Sequence, residues 1–302
     1  MKTTLSGRVI IASKTGRLGN RLFLSAYFMA NALSKGYQLF NPALGEYSAL
    51  FEGSTHDPFC AFPPSSYALD EGFASQCREV FISLAAGLGF LAGNFGLPGV
   101  RLLDIRNSHD SKDRSYNLSG EDFTEVLISS PVLLVKGWKF RDGINLVRFH
   151  SEIRSYFTPV ASVRLPAERV IEEARSRADL VIGVHIRQGD YRGWKNGIHY
   201  FETTQYAHWM RQAKALFPEK KIVFMICASN PIETAELREF DFVYGPGAVA
   251  SDLHALSLCD RIIAPPSTFS TWASYYGRVP LSMMEHHEQQ LMSESFALHD
   301  GV

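Results

Sequence analysis

The feature that most constrains this chain is a rhythm in its second half, where short apolar runs alternate with longer segments of helical spacing. Leu180–Ile186 and Ile222–Ala228 are nearly continuous apolar sequence, the pattern of strands covered on both faces. Between them, Tyr206, Trp209, Met210, Ala213 and Phe217 recur at helical spacing within 201–217, and Pro218 ends the segment. Segment 166–177 reads as a helix with proline in its first turn. Further on, 233–238 reads as a short charged helix, 240–244 as a strand, 252–259 as a helix, Arg261–Ala264 as a strand, 268–276 as a helix and 279–283 as a last strand. Strands alternating with helices imply βαβ units and a parallel sheet. Such a sheet binds ligands at the carboxyl ends of its strands.

The first half opens the same way, with a strand at 9–12, a glycine-bounded turn at 16–20, an amphipathic helix at 22–33 and, later, a strand at 133–138. Between 40 and 117 the pattern blurs, and HDPFCAFPPSS reads as an irregular loop. The 302 residues suit two α/β domains. The boundary is expected between Phe157 and Pro166, which divides the chain into an acceptor-side domain, 1–160, and a ligand-binding domain, 161–302.

A net charge of -1 argues against a nucleic-acid binder, which carries a strongly basic face. Cys60, Cys77, Cys227 and Cys259 form no CxxC pair, which argues against a zinc ribbon. The opening MKTTLSGRVIIAS lacks the apolar core of a signal peptide or an anchor, from which a cytoplasmic location is expected. Segment 80–100 is apolar over a spanning length but rich in glycine. It reads as a buried or interfacial helix followed by a loop, and peripheral membrane contact through it stays open.

Three segments carry candidate chemistry. In VIGVHIRQGDY, a buried strand ends in His185, Arg187, Gly189 and Asp190. Arginine offers a fixed fork of donors suited to phosphate oxygens, although a strand end with a surface Arg–Asp pair accounts for the same residues. GRLGNRLF, with Arg17, Gly19 and Asn20, is a strand–turn–helix junction whose amides suit an anion. It lacks the glycine spacing of a dinucleotide fingerprint and the ending of a P-loop, so an ordinary tight turn remains an alternative. The third segment runs from Ser251 to Gly277. Ser267, Thr268, Ser270 and Thr271, with Phe269 among them, cluster between a strand and a helix, where hydroxyls and amides suit phosphate. N-capping accounts for one of these hydroxyls. Asp252 is either a base or ribose acceptor or a helix cap.

HIRQGDY resembles the H-x-R-R-G-D-Y motif of the α-1,2- and α-1,6-fucosyltransferases. GRLGNRLF is similar to their G-x-L-G-N-Q-L-F segment and to the G-R-F-G-N-Q loop of the peptide O-fucosyltransferases. The stretch from Asp252 through STFSTWA resembles the lining of the donor pocket in the same families, and the three occur in family order. The likeness is greatest to bacterial-type α-1,2-fucosyltransferase-like proteins; 40–165 aligns with nothing in them.

This resemblance implies a GT-B fold: two Rossmann-like domains facing across a cleft, parallel sheets with flanking helices, and the donor in the C-terminal domain. It implies an inverting transfer of fucose from GDP-fucose to a glycan hydroxyl, with GDP-fucose and the glycan as the partners. Arg187 would meet the diphosphate, His185 would lie beside the nucleotide, and Asp252 near guanine or ribose. Ser267, Thr268, Phe269, Ser270 and Thr271 would form the phosphate-side loop, with Gly189 in the motif turn. Arg17, Gly19 and Asn20 would reach the donor from the other domain. The chain departs from the pattern at Gln188, where the family has a second arginine, and at Arg21, where it has a glutamine. No D-x-D occurs, so neither metal nor cofactor is expected and a cation, Arg187, would offset the charge of the leaving diphosphate. Asp190 is the first candidate for the general base, with holding the motif loop as its alternative role. Glu46, His56 and Asp57 are the other base candidates, and Trp138, Trp194, His199 and Tyr200 are candidate sugar-stacking residues. A transferase for another nucleotide sugar and an inactive sugar-nucleotide binder remain open.

Overall fold

The structure, a computed structural model, describes residues 7–65, 68–106, 115–228, 232 and 235–301. The chain divides into two compact units, Met1–Val160 and Ala161–Val302.

The first unit is built on a five-stranded sheet. Its elements in chain order are β1 (Arg8–Ile11), α1 (Leu18–Lys35), β2 (Gln38–Phe40), β3 (Ala61–Phe62), α2 (Glu71–Phe95), β4 (Val100–Asp104), β5 (Tyr116–Asn117), α3 (Glu121–Ile128), β6 (Val132–Lys136), β7 (Phe140–Arg141), α4 (Gly143–Arg148) and α5 (His150–Tyr156). The sheet order is β3-β2-β1-β6-β4, with β5 and β7 forming a small separate pair. All pairings are parallel except β2 with β3, which is an antiparallel exception to the expected parallel sheet. Helix α1 is longer than 22–33 because Gly36 closes it in the left-handed conformation, its N–H bonding Ala32.

The blurred region has its own order. Asp57 accepts from the Phe59 amide at 2.7 Å, the Ala61 amide at 3.1 Å and the Ser65 hydroxyl at 3.0 Å. One carboxylate therefore holds residues 57–65 of the HDPFCAFPPSS stretch in shape; its last serine lies outside the described residues. Segment 80–100 lies in the last two-thirds of α2 and the loop after it. Of the two expectations for it, a buried or an interfacial helix, the first is corrected: only Ala74, Arg78, Ile82, Ala85 and Gly89 of α2 are buried, a single narrow face. Among the described residues no helix is long and apolar enough to cross a membrane.

The second unit runs α6 (Ala161–Arg175), β8 (Leu180–Ile186), α7 (Thr203–Leu216), β9 (Ile222–Ala228), β10 (Phe242–Tyr244), α8 (Val249–Ser257), β11 (Arg261–Ala264), α9 (Thr268–Gly277) and β12 (Leu281–Met283). The sheet order is β10-β9-β8-β11-β12, all parallel. Chain order runs outward from β8 to β10, then returns to β11 on the other side of β8. The carboxyl ends of β8 and β11 are therefore the topological switch point, where an open α/β sheet leaves a crevice for a ligand.

Ile182, Val184 and Ile186 of β8 face α7 and pack with Trp209, Met210, Tyr206 and Phe224 in the main core. Each such side chain, fully buried, contributes roughly 1.5–3 kcal/mol. Two elements differ most from the sequence reading. Helix α6 starts five residues before Pro166, which leaves the proline in its second turn. Val163, Ala167, Ile171 and Ala174 are buried on one face, and that packing outweighs the backbone bond the proline cannot donate. The charged helix expected at 233–238 is a single 3-10 turn, Ala235–Leu237, and residues 233 and 234 lie outside the described residues.

Candidate functional site

Strand β8 ends by placing His185 inside the unit and Arg187 at its rim. His185 is 4% exposed, and its Nδ1 has no hydrogen-bond partner. Burial first, then the Arg187 charge, pull its pKa from 6.5 to about 3. The ring is therefore neutral, and it lies 4.9 Å from the ring of Phe269.

Arg187 points both arms of its fork at Asp190. Nε donates to Oδ1 at 2.9 Å and Nη2 to Oδ2 at 2.8 Å. The guanidinium also stands 5.2 Å from the centre of the Tyr191 ring, a cation–π distance. Tyr191 in turn donates from its hydroxyl to the Pro266 carbonyl, and its ring lies 4.8 Å from that of Trp194, tilted by 37°. Gly189 opens the 3-10 turn Gly189–Arg192 that brings Asp190 back over Arg187. The Arg187 amide donates to the buried Tyr206 hydroxyl at 3.3 Å. Tyr191 and Tyr206 are supports that the reading of charged groups passed over.

The loop after β11 faces this group. Ser267 caps α9, accepting from the Phe269 amide at 3.2 Å. Ser270 and Thr271 are buried, and both donate back to the Ser267 carbonyl, at 3.1 and 2.8 Å. Their hydroxyls brace the first turn of α9; Ser267, Thr268 and Phe269 are the partly exposed part of the loop. Capping thus accounts for one of the four hydroxyls, that of Ser267, and bonds within the first turn of α9 account for those of Ser270 and Thr271.

Asp252 completes the row. Its Oδ1 accepts from the Gly247 amide at 2.8 Å, and burial raises its pKa against the lowering effect of that bond. The chain reaches it through Gly245 and Gly247, in the turn after β10. A Cβ on Gly245 would stand 2.6 Å from Asp252 Oδ1 and 2.8 Å from Cys227 Sγ, so any other residue there displaces those side chains. Cys227 pairs with His185 between β9 and β8, which ties Asp252 to the same strand ends. The signal in the sequence was the glycine pair of YGPG, which no motif singled out.

The remaining candidates have other duties. Gln188, at the second-arginine position, donates its amide to the Phe201 carbonyl at 3.1 Å and serves the fold. Trp194 is partly exposed between Tyr191 and His199, whose ring lies 5.4 Å from it. The Tyr200 hydroxyl accepts from Arg192 at 2.7 Å.

In the first unit, Arg17 is the N-cap of α1, with Gly19 and Asn20 in the first turn. The Asn20 side chain crosses over Gly16, whose φ of +65° suits glycine. Arg21 is committed locally. It donates to the Gly16 and Leu44 carbonyls, pairs with Glu46 at 2.9 Å and lies 4.8 Å from the Tyr47 ring centre. Burial raises the Glu46 pKa, but hydrogen bonds, including that from Arg21, win and hold it below the usual value. Asp57 is saturated by the loop it organises, and His56 Nδ1 meets the Leu69 carbonyl at 3.0 Å. Trp138 stacks on the Arg141 guanidinium at 4.6 Å.

Three solved structures share the fold. FUT1 of Arabidopsis thaliana in complex with GDP, a point mutant, superposes with a TM-score of 0.59 at 16% identity, covering 96% of this chain and 73% of that one. POFUT1 in complex with GDP gives 0.53 at 11%, covering 95% and 96%. The alpha-1,6-fucosyltransferase NodZ, from Bradyrhizobium, soaked with GDP-fucose, gives 0.52 at 17%, covering 92% and 95%. At these identities the likeness is one of fold, that of the GT-B fucosyltransferases. No curated protein matches the sequence. The model of glycosyl transferase family 11 matches residues 146–295, which hold the Arg187 motif, the Asp252 turn and the Ser267 loop. Over that stretch the chain is similar to glycosyl transferase family 11, and this chain is a glycosyltransferase.

Proposed function

We propose that this protein transfers fucose from GDP-fucose to a hydroxyl of a glycan acceptor, with inversion and without a metal ion. The observation that carries the reading is the Arg187 guanidinium at the end of β8, joined by Tyr191 to the loop that opens α9. A cationic fork and a helix N-terminus at one switch point suit a diphosphate. Supporting it, FUT1, POFUT1 and NodZ are all fucosyltransferases, and the structures compared hold GDP or come from crystals soaked with GDP-fucose.

In this reading the Arg187 fork turns from Asp190 towards the diphosphate and offsets the charge that grows as GDP leaves. One such donor contributes on the order of 3 kcal/mol to the transition state. Neutral His185 lies beside the nucleotide without adding charge. Asp252, held by Gly247, accepts from the base or ribose. The acceptor hydroxyl attacks the anomeric carbon from the face opposite GDP and loses its proton as the bond forms.

Calorimetric titration of GDP, GDP-fucose and UDP, in chelator, tests the site. Wild type binds both guanine ligands and Arg187→Ala loses them. Equal binding of UDP, loss of binding in chelator, or an unaffected Arg187→Ala overturns the assignment. Release of GDP from GDP-fucose separates an enzyme from a binder, and the anomeric configuration of the product, read by NMR, decides inversion.

A further inference from the structure

Helix α2 carries an apolar stripe that no described residue of its own unit covers. Phe73, Val80, Leu84, Leu88, Leu91 and Phe95 are each between 42% and 75% exposed, and Cys77 lies in line with them, partly exposed. At 100° per residue these seven positions fall on one side of the helix, about 120° from the buried face of Ala74, Ile82 and Ala85. Monomeric proteins rarely leave so large a continuous apolar surface in water.

The spacing of the stripe is symmetric. From Leu84 outward, the steps are four, three and four residues in each direction, to Phe73 on one side and Phe95 on the other. A two-fold interface needs a surface that is its own complement. Laid antiparallel on a copy of itself, this stripe sets Leu84 against Leu84, Val80 against Leu88, Cys77 against Leu91 and Phe73 against Phe95. Every pair is apolar. The eleven-residue repeat from Phe73 to Leu84 to Phe95 suits a shallow right-handed supercoil, which keeps the stripe on the contact over the length of the helix. The exposed area of the stripe is roughly 600 Å² per copy, about 1,200 Å² for a pair, which reaches the size of a specific interface. Gly87, with open space where a Cβ would be, lets the second backbone approach.

A lipid surface fits less well. Helices that lie on anionic membranes carry lysine and arginine on their polar face. The only basic residue of α2, Arg78, is buried, and its outward charges, Glu71 and Glu79, are acidic. We infer that the α2 stripe is the interface of a homodimer in which the two α2 helices run antiparallel about a two-fold axis at Leu84.

Light scattering on the full chain, with cross-linking by a short bismaleimide, tests this. Wild type has twice the 33.8 kDa mass of one chain. Leu84→Glu sets two like charges together on the axis and yields monomers with unchanged circular dichroism, since the residue is 59% exposed. Leu91→Cys cross-links to Cys77 of the second copy and gives a covalent dimer. Wild type does not cross-link, because the two Cys77 side chains of an antiparallel pair lie roughly 20 Å apart along the axis. A monomeric wild type or a dimeric Leu84→Glu overturns the proposal. So does a cross-linked wild type, which means parallel helices, or flotation of the protein with neutral phosphatidylcholine vesicles, which makes the occupant a membrane.

Discussion

The hydroxyl of Tyr191 donates to the carbonyl of Pro266 across 2.5 Å, joining the loop after β8 to the loop before α9. The same ring stands beside the Arg187 guanidinium. One side chain therefore sets the position of the cation relative to the helix N-terminus. Tyr191→Phe keeps the ring and removes the bond. It is expected to destabilise the protein by about 1 kcal/mol and to raise the KM for the donor several-fold, as read by denaturant unfolding and by donor saturation. An unchanged KM would mean that the two loops hold their places without the bond.

Asp190 tests the choice between base and support. Both its oxygens bond to Arg187, which favours the support. Asp190→Asn is expected to lower kcat by no more than about tenfold and to leave the shape of the pH–rate profile intact. A general base would show a loss of 10²–10⁴-fold, together with disappearance of the acid limb.

Gly245 leaves room for the Asp252 carboxylate and the Cys227 sulfur. Gly245→Ala forces one of them to move. A loss of roughly 1–3 kcal/mol in stability and at least tenfold weaker GDP binding are expected, measured by thermal unfolding and calorimetry. Normal GDP binding in a folded Gly245→Ala protein would remove Asp252 from the donor site.

His185 gives a pH dependence. Its folded pKa, about 3, lies below the ordinary 6.5. Between these values the unfolded chain binds the proton and the folded protein does not, so unfolding takes up a proton. The stabilisation is full above about pH 6.5 and is lost as the pH falls towards 3, by up to about 1.4 kcal/mol per pH unit. His185→Gln is expected to flatten that part of the stability curve. An acid limb of undiminished slope in the variant would assign it to other groups.

Much of the fold was legible. Buried parallel strands are continuous apolar runs, so β8, β9 and β11 could be read from composition alone. Helix ends were less so: α6 starts before Pro166 because its buried face outweighs the proline's missing donor. The motif residues stood out because arginine, histidine and glycine at strand ends are chemically conspicuous. Their partners did not. Gln188 bonds a carbonyl thirteen residues away, Arg21 a carboxylate twenty-five away and Tyr191 a carbonyl seventy-five away.

The sequence by itself determined most strands and helices of the second unit, and which side chains could meet a phosphate, because apolar periodicity and side-chain chemistry are local properties. Only the tertiary structure decided that β11 returns beside β8, that Tyr191 links Arg187 to the α9 loop and that Ser270 and Thr271 brace a helix turn. The order of strands in a sheet, and the burial that follows from it, depend on contacts between residues far apart in the chain, and no single segment encodes them.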